Sequence, residues 1–181
     1  VLNIPDVMVV DEQEIDEQDL KFIFVKIDET LGLLDEFRKN EGKAMELDLN
    51  NRLSNIRISL NNIESYEPDR IEKIRAKIEN ELKNINSTEY NKNRFEEEMI
   101  YYLEKLDISE EKVRLNHHLE HFTECLNGKG PHGKKLNFIA QEMGREINTI
   151  GSKASHHQIQ FLVVQMKDEL EKIKEQVLNI L

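Results

Sequence analysis

Glu142 and Glu146 stand four residues apart, so on a helix their carboxylates share one face. Paired hard oxygen ligands suit Mg²⁺ or Mn²⁺, ions that orient water and neutralise phosphate charge. Arg145 lies between them, and a guanidinium can hold a phosphate through two parallel N–H bonds. Upstream, His117 and His118 lie four and three residues before His121. A neutral imidazole there could ligate a metal or act as general base near pH 7. Lys129, Lys134 and Lys135 belong to a Gly-rich loop that opens a helix, and a helix N-terminus is itself an anion site. Asn148, Thr149, Ser152 and Lys153 follow the expected helix end and can donate to phosphate or 2′-OH groups.

Each of these residues also has a plainer role. Glu142, Arg145 and Glu146 make an ordinary salt-bridged helix face. The lysine loop makes a simple connection whose charges oppose the helix dipole, and Gly151 and Ser152 make a helix stop. Histidines at such spacing are more often surface or core residues than ligands. His156 and His157 read as helix-surface residues and His132 as an exposed loop residue. Asp107 reads as a helix cap, Cys125 as a small buried residue, Tyr101 as a possible stacking residue and Tyr102 as core.

The elements that must position these groups are helical. Leu20, Ile23 or Phe24, Ile27, Leu31 and Leu34 recur in steps of three and four from about residue 17. Met45, Leu49, Leu53, Ile56, Leu60 and Ile63 continue the stripe. Glu41-Gly42 either breaks this helix or is carried through at a cost of about 1 kcal/mol. Pro68 forces a turn, and Ile71, Ile74, Ile78, Leu82 and Ile85 mark the next helix. Phe95, Met99, Tyr102 and Leu106 follow. Asp107-Ile-Ser-Glu110 is a capping box ahead of Leu115, Leu119, Phe122 and Leu126. NGKGPHGKK is the one clear loop. Beyond it run Leu136, Ile139, Met143 and Ile147. A second capping box, Ser155-x-x-Gln158, opens a last helix with Ile159, Leu162, Met166, Leu170, Ile173 and Val177. Residues 1–10 alternate loosely around Pro5, as a short strand or extended arm would. The fold class expected is therefore all-α, a long helical hairpin plus a compact helical bundle. Its divisions are an acidic arm or linker at 1–16, a long-helix scaffold or oligomerisation region at 17–86, and a helical domain at 87–181.

Composition narrows the function classes. One cysteine in 181 residues excludes a disulfide scaffold and a Cys-based zinc site. No apolar run of about 18 residues exists, so no membrane span is expected, and with no export signal the cytoplasm is the expected compartment. The net charge of −11 repels nucleic acid at long range, but it is unevenly spread. Residues 1–90 hold 12 basic and 21 acidic residues, whereas 91–181 hold 13 and 15. All six histidines and five of the seven glycines fall between 117 and 157. A local basic island there can still hold phosphates.

KKLNFIAQEMGREINTIGSKA, at 134–154, resembles the signature of the YicC-like family of bacterial endoribonucleases. The stretch FEEEMIYYLEKLDISEEKVRLNHHLEHF upstream, LVVQMKDELEKIKEQVLNI downstream and the segment GKAMELDL are also similar, so the likeness covers essentially the whole chain. Asn137 stands where the family commonly has Asp, and Gly144 where it has Asn. The resemblance implies metal-dependent cleavage of RNA, with Mn²⁺ or Mg²⁺ as cofactor, and a homo-oligomer, a hexamer forming an RNA-enclosing clamshell. It places Glu98, His118, Glu142 and Glu146 around the metal, with His118, Glu142 and Glu146 in catalytic roles. In the endoribonuclease reading Arg114, Lys134, Lys135, Arg145, Asn148, Ser152 and Lys153 contact RNA. The family's N-terminal half has no counterpart here and the chain begins at Val1, so it reads as the C-terminal half of a longer enzyme. Two other functions stay open: an RNA-binding adaptor that cleaves nothing, and a structural oligomerisation module.

Overall fold

The computed structural model describes residues 16–84, 92–128 and 130–180. Every regular element among them is helical: α1 (Glu17–Ile63), a 3-10 turn (Glu64–Tyr66), α2 (Glu67–Asn84), α3 (Lys92–Leu106), α4 (Ser109–Leu126), α5 (Gly133–Lys153) and α6 (His157–Val177). The expected all-α class, with a long helix and a helical bundle, is what forms. The strand or arm expected at 1–10 and the arm at 1–16 lie almost wholly outside the described residues. No described helix is long and apolar enough to cross a membrane.

The chain divides into two compact units, with the boundary between Ala44 and Met45. In the first, the described residues are the start of α1. The stripe Leu20, Ile23, Ile27, Leu31 and Leu34 is there, but all of it is exposed, as are Phe22, Phe24, Val25, Leu33 and Phe37. Glu41-Gly42 does not break α1, which runs on as one 47-residue helix.

The second unit holds the core. Leu49, Leu53, Ile56, Leu60 and Ile63 of α1 are buried in one apolar cluster with Leu115, Leu119 and Phe122 of α4. The inner faces of α5 and α6 complete it through Ile139, Met143, Ile147, Ile159, Met166 and Ile173. These are the positions the 3.6-residue period selects, and their burial drives the assembly. Arg52 of α1 adds an ion pair to Glu169 of α6 at 3.4 Å. Helices α5 and α6 form an antiparallel pair with glycine notches. A Cβ on Gly151 would lie 3.0 Å from Val163 Cγ1, and one on Gly144 would lie 3.2 Å from Leu170 Cδ2. Gly151 is therefore a close-packing residue inside α5 and not a helix stop.

Three further expectations change. The last helix is not opened by a Ser155 capping box: His156 is its N-cap, in extended conformation and with no side-chain cap bond. Gln160 holds that turn instead, its Nε2 donating to the Ala154 carbonyl at 2.8 Å. Tyr102 is exposed, not core. Helix α4 starts where the capping pattern predicts, but Asp107 Oδ1 accepts from the Ser109 N–H (3.0 Å) and Oγ–H (2.7 Å) and not from the N–H of residue 110. Glu110 is drawn away from any reciprocal cap by its pairing with Arg114.

Candidate functional site

Helix α5 carries most of the candidate groups. Its inner face is fixed by Leu136, Ile139, Ala140, Met143, Ile147 and Ile150, which turns the opposite face to solvent. Lys134, Lys135, Arg145, Asn148 and Ser152 are all exposed. Phe138 joins them, a large aromatic left 61% exposed among polar residues. Lys134 and Lys135 have no ion-pair partner among the described residues.

Asn148, Thr149, Ser152 and Lys153 do not follow the helix; they form its last turns. The reason is local. Gly151 faces Val163 and needs no left-handed conformation, so the helix continues past it. Thr149 Oγ1 donates to the Arg145 carbonyl and Ser152 Oγ to the Thr149 carbonyl, each at 3.0 Å. Asn148 is exposed, and its side-chain amide has no hydrogen-bond partner among the described residues.

Glu142 and Glu146 straddle the border between the two faces. Glu142 is half-buried, and its Oε2 lies 4.0 Å from Nη1 of the open Arg145. Glu146 is 6% exposed, and no hydrogen bond or ion pair reaches it among the described residues. Its carboxylate oxygens are not among the fully enclosed unpartnered atoms of the described residues, so the stem is buried while the carboxylate stays at the edge of solvent, open to a ligand.

His118 is half-buried on α4 and likewise makes no hydrogen bond or ion pair there, while His117 and His121 are exposed. The side chain of Glu98, on α3, lies outside the described residues, as does Lys129. Among the described residues no three His, Cys, Asp or Glu side chains gather into a metal-holding group. The donor set they do offer is the Glu142–Glu146 pair. It fits a hard, water-rich cation such as Mg²⁺, which needs only one or two carboxylates beside substrate phosphate.

Two of the expected RNA contacts are engaged elsewhere. Arg114 pairs with Glu110 one turn back, an exposed pair that a phosphate can displace at little cost. Lys153 Nζ reaches across to Glu111 Oε1 of α4 at 2.7 Å. Glu111 is buried and its second oxygen is unpartnered, so Lys153 serves first to neutralise it.

One cluster escaped the sequence altogether. His156 is not a surface residue; it is 5% exposed. Its Nε2 lies 2.8 Å from Asp69 Oδ2 and 3.3 Å from Lys73 Nζ, and its ring stacks on Tyr66 at a 5.8 Å centroid distance. Lys73 first, then His156, hold the Asp69 carboxyl below the usual carboxylate range. Beside it Arg70 donates to the Leu106 carbonyl, and burial pushes its guanidinium down against the pull of Glu67 and Asp107. These residues pin α2 to the α3–α4 turn and to the N-terminus of α6. Asp69 and His156 are 87 positions apart, which no periodicity reveals.

Comparison with known proteins adds the lineage. The family described as endoribonuclease YicC-like, C-terminal, matches residues 63–181. A probable endoribonuclease YicC from Clostridioides difficile is 34% identical over 183 residues, spanning 99% of this chain and 62% of that protein. A probable endoribonuclease YicC from Haemophilus influenzae is 31% identical over 184 residues, with the same 99% and 62% coverage. The chain thus spans about three fifths of the length of these curated relatives.

Proposed function

The chain belongs to the YicC-like endoribonuclease family, and from that premise we propose that it forms the RNA-gripping and phosphodiester-cleaving part of a divalent-metal-dependent endoribonuclease. The observation that carries this reading is the unpartnered, buried Glu146 one helical turn from Glu142, on the helix that also presents Lys134, Lys135 and Arg145 to solvent.

The chain's own groups divide the work. Lys134 and Lys135 draw the phosphate backbone to the start of α5, an electrostatic and sequence-independent attraction. Arg145 holds a phosphate and stabilises the charge that develops on it, and Asn148 and Ser152 donate further along the strand. Glu142, beside Arg145, or His118 from α4 is open enough to take a proton from the attacking oxygen where it does not itself hold the ion. Glu142 and Glu146, with Glu98 and His118 by resemblance, would hold Mn²⁺ or Mg²⁺. When bound, that ion supplies Lewis acidity and charge neutralisation at the scissile phosphate.

Self-association belongs to the same proposal, as a homo-oligomer and by resemblance a hexamer. Its support is the exposed apolar surface of α1, including an open trough lined by Phe22, Ile23, Ile27 and Leu31. Such a surface marks an interface. A cytoplasmic location is part of it too, since the substrate is cellular RNA.

Cleavage of single-stranded and hairpin RNA with Mn²⁺ against EDTA tests the reading. Glu142→Gln and Glu146→Gln should each lower the rate by about 10²-fold or more. Undiminished cleavage by both variants in EDTA would refute it, and RNA binding without cleavage by the parent chain would favour the adaptor.

A further inference from the structure

Glu111 and Lys153 form a charged pair whose geometry stability alone does not explain. Glu111 of α4 is 5% exposed, and Lys153 Nζ, at the end of α5, reaches its Oε1 at 2.7 Å. The other carboxylate oxygen, Oε2, is enclosed with no partner among the described residues. A bridge kept for stability would satisfy both oxygens, and apolar side chains of the same size would do at least as well. Lys153 is one-third exposed, so its ammonium is anchored from behind and open in front. It has three donors, and Glu111 takes one. Helices α4 and α5 run antiparallel, with Glu111 and Lys153 facing each other across the seam. His118 stands two turns along α4 from Glu111, and Glu146 two turns back along α5 from Lys153. Equal steps in opposite directions lead to facing positions. The ion pair and the candidate site therefore share one seam, about 10 Å apart. Glu142 lies one turn further still, beside Arg145. The second acid near the ammonium is Asp107, which accepts two hydrogen bonds from Ser109 and also attracts Arg70. After Ser109, Lys153 helps to hold the Asp107 carboxyl below its ordinary value. Glu110, next to Glu111, is exposed and paired with Arg114.

We propose that Glu111 is a positioning residue for RNA, fixing the Lys153 ammonium on a phosphate beside the one that is cleaved. Resting on the RNA reading above, this adds a residue that acts on RNA without touching it. A free lysine gives up much rotamer freedom when it holds a phosphate, and the buried carboxylate supplies that order in advance. At about 10 Å from Glu146 the ammonium is too distant to meet the charge that develops on the scissile phosphate. It holds the bound strand and the transition state equally, which lowers KM and leaves kcat alone. The general field of the molecule predicts the opposite sign. On a chain of net charge −11, removing an acid should tighten RNA binding. A loss of affinity on neutralising Glu111 therefore has to come through the placement of Lys153.

Three full-length chains test this: the parent, Glu111→Gln, and Glu111→Gln with Lys153→Ala. Neither variant strands a buried charge, and circular dichroism checks that each is folded at the assay temperature. Affinity for a labelled single-stranded RNA is read by anisotropy in EDTA over a range of salt, and kcat and KM are read with Mn²⁺. Glu111→Gln should weaken binding about 5- to 10-fold, on the scale of one charged hydrogen bond open to solvent. The double variant should bind within about 2-fold of Glu111→Gln, because an unanchored lysine adds little. The parent's slope of log K against log salt should exceed that of both variants by about 0.7, one phosphate contact on a single strand. Both should keep kcat within about 2-fold of the parent while KM rises. A pair that served only the fold would leave the salt slope where it is. If Glu111→Gln binds RNA as tightly as the parent or more tightly, Glu111 does not position the lysine and the proposal fails, while the RNA reading stands. It fails equally if the double variant binds far more weakly than Glu111→Gln, since the lysine then works alone. A fall in kcat of about 10²-fold would put the pair in the chemistry and overturn the positioning role. Binding without cleavage leaves the affinity comparison to decide. If the parent neither binds nor cleaves RNA at about 50 mM salt, the RNA reading fails and this proposal with it.

Discussion

Glu146 and Lys153 do different work as single residues. The Glu146 carboxylate stays at the edge of solvent, so neutralising it should damage the chemistry and leave the fold nearly as it is. Glu146→Gln is expected to change stability by no more than about 0.5 kcal/mol in thermal melts, alongside the loss of cleavage. Lys153→Ala should do the reverse, stranding the buried Glu111 carboxylate. A loss of about 2 kcal/mol is expected, below the range for fully buried pairs because the Lys153 side chain is one-third exposed. Adding Glu111→Gln should recover most of it, as denaturant melts of the four-member cycle would show. Asp69 and Asp107 give a pH signature. Both carboxyls are held below their ordinary value of 3.8, Asp69 chiefly by Lys73 and then His156, Asp107 by the Ser109 hydroxyl and N–H. A depressed folded-state value means that their contribution is present above about 3.8 and is lost as pH falls through the lower folded values. Acid titration of the parent against Asp107→Asn should show the gap in stability closing only below that point. Spacing alone pointed to the α5 residues because they lie within a few turns of one another. It could not point to His156, whose environment is assembled from α2 and from the turn before α6.

At the scale of the element, the apolar stripes of α4, α5 and α6 were legible because each helix buries one continuous face. The ends were less so. Glycine commonly ends helices, so the sequence predicts a stop at Gly151, yet this glycine supplies the space that Val163 fills. Alanine at 151 should gain about 1 kcal/mol of helix propensity and lose more by crowding the buried Val163. The expected net destabilisation is about 1 kcal/mol, and pairing it with Val163→Ala should abolish the crowding term; thermal melts would decide. Gly133 is under a harder constraint, since a Cβ there would collide with the backbone carbonyl of Ile180. Gly133→Ala is therefore expected to displace the C-terminal tail from the start of α5, read as faster amide exchange across 178–180.

For the molecule as a whole, the net charge of −11 describes the chain's repulsion of like surfaces more than its function. The basic residues of α5 are concentrated enough to act locally, although residues 91–181 as a whole hold 13 basic and 15 acidic residues and most of the negative charge lies in residues 1–90. The exposed apolar start of α1 carries a different expectation. Because binding that occurs only in the folded state raises stability by mass action, the melting temperature should climb with protein concentration. Replacing Phe22 and Leu31 with Ser should abolish that dependence and lower the mass measured by light scattering.

The three-residue link between α5 and α6, residues 154–156, has a consequence in time. Contacts that close short loops form quickly, whereas Asp69 must wait for a partner 87 positions later in the chain. The two helices should therefore meet before α2 docks on their turn. Gly151→Ala should then slow refolding, and His156→Ala should leave refolding nearly unchanged and hasten unfolding, which stopped-flow chevrons would distinguish.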